Sequence, residues 1–363
     1  HYVKGKFISS DLCFILTPKK GLRLDLTFYY RLFNFLRTDI VKKTATGTSK
    51  LAINQTNFGA YKLPYFDYEH QISFRGKIET ITGINEEFSE GIDYQLSLLT
   101  KLRQAVLQEA VEGKLTAEWR KHNPTAISGE NHASKLLEKI KAEKERLKKE
   151  GKIKKDKPLA PITDKVKPFA LPDGWVWCRL GELIVYSENL DIQKKLPPST
   201  IINYVDIDSI DNKRHKIAQI KTKKISDLSS RARRVLKKGY IVYSTVRPYL
   251  ENIAFVEKEV EHFIGSTGFN VFKALLIDQK YIFNLLLSPY INKLYQEMMV
   301  GFNSPSITNE QFEDTAIPLP PLAEQQAIVE RVDKLMAMID ELEKHVSERK
   351  EQSEMLMQSV LRE

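Results

Sequence analysis

Two stretches of this chain, 254 residues apart, are versions of one element, and that duplication restricts the fold more than any other feature. Aligned without a gap, Gly47–Glu109 and Gly301–Glu363 share 11 identities in 63 positions, against roughly four expected by chance at ordinary residue frequencies. The second copy leads through Pro318-Leu-Pro-Pro-Leu-Ala-Glu-Gln-Gln326 into a helix whose apolar residues fall at Val332, Leu335, Ile339, Leu342, Val346, Leu356 and Val360. Steps of three and four make a coiled-coil seam. In the first copy the seam becomes Ile78, Ile81, Asn85, Phe88, Ile92, Leu99, Leu102 and Val106, with Gln95 and Leu99 at the positions of Arg349 and Ser353. Ile53, Phe58, Pro64 and Gln71 match Ile307, Phe312, Pro318 and Gln325. Two copies are too few for a solenoid. The expectation is a pseudo-twofold chain, each half a globular domain followed by a long helix.

A chain of 363 residues accommodates two or three domains with cores of their own. No apolar run reaches the length needed to span a bilayer, and the N-terminus carries no signal pattern. Cys13 and Cys178 are too few for a disulfide framework or a thiolate zinc site, so a reducing cytoplasm is the expected setting. The net charge of +9 is compatible with a polyanionic partner but does not by itself point to one.

The chain opens at His1 with apolar runs at Phe7-Ile8 and Leu12–Leu16 that read as buried strands, then a helical spacing from Leu24 to Ile40 and a polar loop at Thr44–Lys50. Ile264–Phe272, Tyr281–Val300 and Gly301–Ser304 repeat that order. Residues 1–70 therefore read as the C-terminal part of a first domain, with some 90 residues expected before His1 by comparison with the second. The remaining boundaries are 71–120 for the first long helix, 121–167 for a charged helix and Pro-containing linker, 168–317 for the second domain and 318–363 for the second long helix. Lys139–Lys157 holds ten Lys or Arg against four acids, which fits a solvated helix with i,i+4 pairs or a basic arm. Trp175 and Trp177 read as core anchors.

Four stretches give the chain a family resemblance. Leu171-Pro-Asp-Gly-Trp-Val-Trp177, Gly239-Tyr-Ile-Val-Tyr-Ser-Thr-Val-Arg-Pro248 and Ile317-Pro-Leu-Pro-Pro-Leu-Ala-Glu-Gln-Gln326, with Leu102–Leu115, resemble the specificity subunit of type I restriction–modification systems. The resemblance covers nearly the whole chain. It implies an α+β fold: two similar target-recognition domains, the first partial here, held apart by two long antiparallel helices. It also implies a non-catalytic subunit that reads a bipartite, asymmetric site on double-stranded DNA. Two methyltransferase (modification) subunits and restriction/translocase subunits would be its partners; they, not this chain, would use S-adenosylmethionine, ATP and Mg. The first helix departs from the pattern, since Leu63-Pro-Tyr-Phe-Asp-Tyr-Glu-His-Gln71 lacks the Pro-Leu-Ala-Glu run.

A DNA reader needs cations for phosphates and short polar or planar groups for base edges. Lys213–Lys238 carries eleven Lys or Arg against the single acid Asp227. Lys213, Arg214, Lys221, Lys223, Arg231, Arg233 and Arg234 are its candidate backbone contacts. Ser244, Thr245, Arg247 and Tyr249 follow an apolar strand at a turn containing Pro248, where Arg247 has the reach for a guanine edge; an intradomain ion pair is the competing reading. Asn303 and Ser304 precede Pro305 in a loop that suits either base contact or helix capping.

Enzymatic motifs are missing. The chain has no Gly-x4-Gly-Lys-Ser/Thr loop and no glycine-rich cofactor loop with a catalytic Asn/Asp-Pro-Pro-Tyr. Its seven His residues are not spaced as metal ligands. Asp211-Asn212-Lys213 has a nuclease-like form but no matching carboxylate cluster. A truncated half-site reader and a coiled-coil scaffold that binds only protein are the alternatives; the basic segment argues against the scaffold.

If paired helices set the half-site spacing, one inserted heptad adds about 10 Å, close to three base pairs. In a chain whose first domain is completed, that insertion is expected to change the spacer and leave both half-sites intact, as read by methylome sequencing with the partner methyltransferase. An unchanged spacer, or altered bases, contradicts the reading.

Overall fold

The structure is a computed structural model that describes residues 3–6, 8, 14–46, 52–154 and 157–360. It divides into two compact units, His1–Leu98 with Leu342–Glu363, and Leu99–Glu341.

The bonds at the head of each copy recur, one set in each unit. Tyr68–Val111 and Leu322–Val360 are the long helices. Near the start of the first, Gln71 accepts from Asp25 N at 2.7 Å and donates to Phe66 O at 2.6 Å. Near the start of the second, Gln325 accepts from Asp278 N at 2.9 Å and donates to Pro320 O at 2.9 Å. Tyr29 Oη donates to Pro64 O and Tyr281 Oη to Pro318 O. Asn54 caps a short helix by accepting from Asn57 N, as Thr308 does from Gln311 N. Thr46 pairs with Ala52, and Val300 with Ser306. Both glutamines are fully buried, where an unpaired amide is costly. That cost explains why the identical Gln pair matters more than the modest overall identity.

Within each unit the two helices run antiparallel. Arg349 donates to Gln95 at 2.7 Å, Lys350 pairs with Asp93 at 2.9 Å and Ser353 bonds Asn85 at 3.1 Å. In the other unit Arg103 reaches Met336 and Asp340. The seam is only partly the expected one. Ile92, Val106, Val332, Ile339 and Val346 are buried, but Phe88, Leu102, Leu342 and Leu356 are exposed, and Ser89, Arg103, Glu343 and Met357 take the half-buried places. Each half-buried residue directly follows an exposed one, while Val332, Ile339 and Val346 stay buried at seven-residue intervals, so the contact line keeps the heptad repeat and is offset by one residue at alternate seam positions.

Other expectations are corrected. Phe14, Ile15 and Leu16 form no strand and are exposed; a strand needs a neighbour for its backbone groups. Phe7, Leu12, Cys13, residues 47–51 and the terminal Leu361-Arg-Glu363 lie outside the described residues. The helix expected over Leu24–Ile40 is two, Leu26–Phe35 and Arg37–Thr44. Tyr281–Val300 likewise divides into Gln279–Leu286 and Pro289–Met298. Pro289 has no N–H to continue the first helix, and Ser288 caps the second.

The larger unit carries two four-stranded sheets. One has the order Ile253–Phe255, Ile241–Ser244, Phe269–Ala274, Ile184–Tyr186, all antiparallel. Its faces are both covered: Tyr243 and Phe272 join the core shared with Tyr281, Tyr295 and Phe312, while Val242, Phe269 and Val271 join a second core with Val205 and Phe263. Burial on both sides explains the uninterrupted apolar run Ile241-Val-Tyr243. The other sheet has the order Lys221–Lys224, Ile201–Val205, Phe263–Ser266, Ala232–Val235, with the central pair parallel.

The charged helix, Ala133–Lys149, is largely self-paired: Lys135 to Glu138, Arg146 to Glu143 and Glu150, Lys148 to Glu145. The preceding long helix is stopped before Gly113, whose φ of +71° and a Pro172 carbon 2.6 Å from any added Cβ admit only glycine. The connection then folds back on the second long helix. Fully buried Glu324 accepts from Arg120 Nη1 and from Thr116 Oγ1 at 2.7 Å through one oxygen, and from Trp175 Nε1 at 2.7 Å through the other. No helix of the described residues is long and apolar enough to cross a membrane.

Removing one member of a buried charge pair typically costs about 3–5 kcal/mol. Glu324→Ala is expected to lower unfolding stability by that amount in urea titrations followed by tryptophan fluorescence. Lys280→Ala, which breaks the exposed pair with Asp333, is expected to cost under about 1 kcal/mol.

Candidate nucleic-acid interface

The rigid strand Ile241–Ser244 delivers a turn that is stitched to a second loop. Thr245 N donates to Gly268 O at 3.1 Å, and Thr245 O accepts from Ile307 N at 3.0 Å. Val246 bridges Ser306, and Arg247 N donates to Pro305 O at 2.7 Å. Arg247 itself is left-handed, φ +48°, a conformation costing a non-glycine residue about 1–3 kcal/mol. Its Nη2 donates to Asn303 O at 2.9 Å. The side chain is otherwise exposed, so the strained backbone holds a guanidinium at the surface.

Beside this turn lies a cleft of about 980 Å³. It brings together four of the candidate residues, Arg231, Thr245, Arg247 and Ser304. Among the described residues Arg247 makes no ion pair, the competing reading; its side chain donates to a backbone carbonyl.

The other nine are placed elsewhere. Lys213 and Arg214 are exposed on the turn joining Ile210–Asp211 to Lys216–Ile217. Their N–H groups both donate to Asp211 Oδ1 at 3.0 Å, which holds that carboxyl below its usual range. Asp211 shapes a turn there. Lys223 is exposed on the edge strand. Lys221 is tied to Asp206 at 2.6 and 2.8 Å, and Arg233 to Asp191 at 3.3 Å. Arg234 is half-buried, and burial pushes its guanidinium pKa down. Ser244 is buried and donates to Val246 O. Tyr249 is 39% exposed on the turn after Arg247. Asn303 is exposed on the opposing loop.

Sequence reasoning passed over one wall of the cleft, formed by Tyr204, Asp206, Asp208 and Asn212. The available signal was the burst of polar residues ending the apolar strand Ile201–Val205. Burial raises the Asp206 carboxyl, but the Lys221 ammonium and the Ser209 hydroxyl outweigh it and hold the group below its ordinary value. The cleft thus presents arginines, hydroxyls, an amide and carboxylates on a rigid base. That set matches what hydrogen bonding to phosphates and base edges requires.

Residues 172–352 match the family model for the type I restriction modification DNA specificity domain. The type I restriction enzyme EcoAI specificity subunit of Escherichia coli is 31% identical over 76% of this chain and 45% of its own length. The EcoEI specificity subunit of the same species is 31% identical over 68% and 40%. The crystal structure of the HsdS subunit from Thermoanaerobacter tengcongensis shares 40% identity over 53% of this chain and 50% of that one, with a TM-score of 0.47. The chain spans under half the length of those two curated relatives. By the matched domain and the two curated relatives, this chain belongs to the family of type I restriction–modification specificity subunits.

Proposed function

We propose that this chain is a non-catalytic DNA-reading subunit of a type I restriction–modification complex, working in the cytoplasm. The observation that carries the reading is the cleft in which Arg231, Arg247, Thr245 and Ser304 converge on a rigid strand end, in a chain of this family. Residues 168–317 would be one target-recognition domain and 1–70 part of another, with the helices 71–120 and 318–363 between them and 121–167 as connector. The repeated hydrogen bonds at Gln71 and Gln325 support that division. Methyltransferase and restriction/translocase subunits would dock on it and supply the chemistry, using S-adenosylmethionine, ATP and Mg.

In this reading the exposed cations Lys213, Arg214, Lys223 and Arg231 meet phosphates, and Arg247, Thr245 and Ser304 meet base edges. Lys221 and Arg233 act mainly inside the domain, as their ion pairs suggest.

Each lost phosphate contact flattens the plot of log K against log salt by roughly 0.9. Changing Lys213, Arg214, Lys223 and Arg231 to Gln is expected to reduce the slope by about 3–4 units in fluorescence anisotropy titrations with the whole chain; an unchanged slope moves the phosphate face elsewhere. Arg247→Gln is expected to weaken binding to the preferred sequence by about 1–3 kcal/mol, with little change in slope. Purified alone, the chain is expected neither to cut nor to methylate DNA when given ATP, magnesium and S-adenosylmethionine. Methyl transfer by this polypeptide alone overturns the proposal.

A further inference from the structure

The cleft holds two carboxylates, in a place where a phosphate backbone would be repelled by them. Asp206 is accounted for: Lys221 neutralises it, and Ser209 Oγ donates to it at 2.8 Å. Asp208 is different. It is exposed, lines the cleft, and has no hydrogen bond or ion pair with any described residue. Its backbone is fixed, because it sits in the single helical turn Ile207–Ser209. Ser209 N donates to Asp206 O at 3.0 Å, and Ser209 is fully buried.

A free carboxylate can only accept hydrogen bonds. In the major groove, only cytosine N4 and adenine N6 offer it a donor, whereas guanine and thymine present acceptors and a methyl group. A guanidinium on the same cleft, Arg247, has the opposite preference and suits guanine O6 and N7. One wall of the cleft therefore accepts and another donates, a pattern that discriminates between bases and that phosphate binding alone does not need.

We infer that Asp208 is a specificity-determining residue, accepting a hydrogen bond from an exocyclic amine, cytosine N4 or adenine N6, at one position of the DNA site. The inference rests on the DNA-reading function proposed above. It adds a base class and a residue that the cation-rich segment does not contain.

The test is selection of binders from a randomised duplex library by the whole chain, as wild type, Asp208→Asn and Asp208→Ala, followed by sequencing. Wild type is expected to enrich a motif with cytosine or adenine at one position. Asp208→Ala is expected to lose that one preference, by roughly 5- to 100-fold, and to keep the others. Its affinity for random DNA at low salt is expected to rise, since one negative charge is gone. Asp208→Asn, which also carries donors, is expected to relax the position or shift it towards adenine. An unchanged motif in Asp208→Ala overturns the inference, as does loss of the whole motif in both variants, which marks the residue as structural. If wild type enriches no motif at all, the DNA-reading proposal itself fails, a result distinct from either.

Discussion

A single buried carboxylate organises the larger unit. Glu324 stands in the first turn of a long helix, where a negative charge is favoured by the unpaired N–H groups and the helix dipole. It accepts from Thr116 and Arg120 in the connection and from Trp175 at the start of the sheet domain. Two segments distant in sequence are thereby fixed to one helix end. Burying the charge pair is costly in itself, and the geometry is what makes it tolerable, since both carboxylate oxygens are satisfied. The neighbouring Gln325 completes the anchor by pinning the backbone at Asp278 and Pro320. The strand Ala316–Leu319 is then held against Val176–Arg179, and the two helices after the sheets are held against both.

The cleft inherits its rigidity from that packing. Ile241–Ser244 is buried on both faces and cannot shift without disturbing two cores. Its turn therefore tolerates a left-handed Arg247, with the strain offset by hydrogen bonds to Gly268, Pro305 and Asn303. A planar guanidinium on a fixed base can distinguish one base edge from another; the same group on a mobile loop would contribute mainly charge.

The duplication, the long helices and the connector were legible because each rests on local periodicity or on identical residues. The register of the seam was less so. Phe88 and Leu342 fit a heptad on paper, but the contact line runs through the residue after each of them, Ser89 and Glu343, and leaves the apolar pair to solvent. The apolar spacing of Tyr281–Val300 continues across Ser288-Pro289, so periodicity alone does not show the break that the proline ring imposes. For the site, composition located a cationic segment and could not tell which cations were already used. Lys221 and Arg233 find acids that lie 15 and 42 residues away in sequence, and only the fold brings those acids near. Asp206 and Asp208 were passed over because a search for cations looks past carboxylates, although base reading needs acceptors as well.

The central claim is that the cleft between the Arg247 turn and the 204–212 segment is the surface that meets DNA. Photo-cross-linking of the whole chain to duplexes carrying 5-iododeoxyuridine, with the attached peptides mapped by mass spectrometry, tests it directly. The account predicts cross-links within 204–252 and 266–306, which contain the cleft residues. Cross-links concentrated in the charged helix Ala133–Lys149, with none at the cleft, would contradict it.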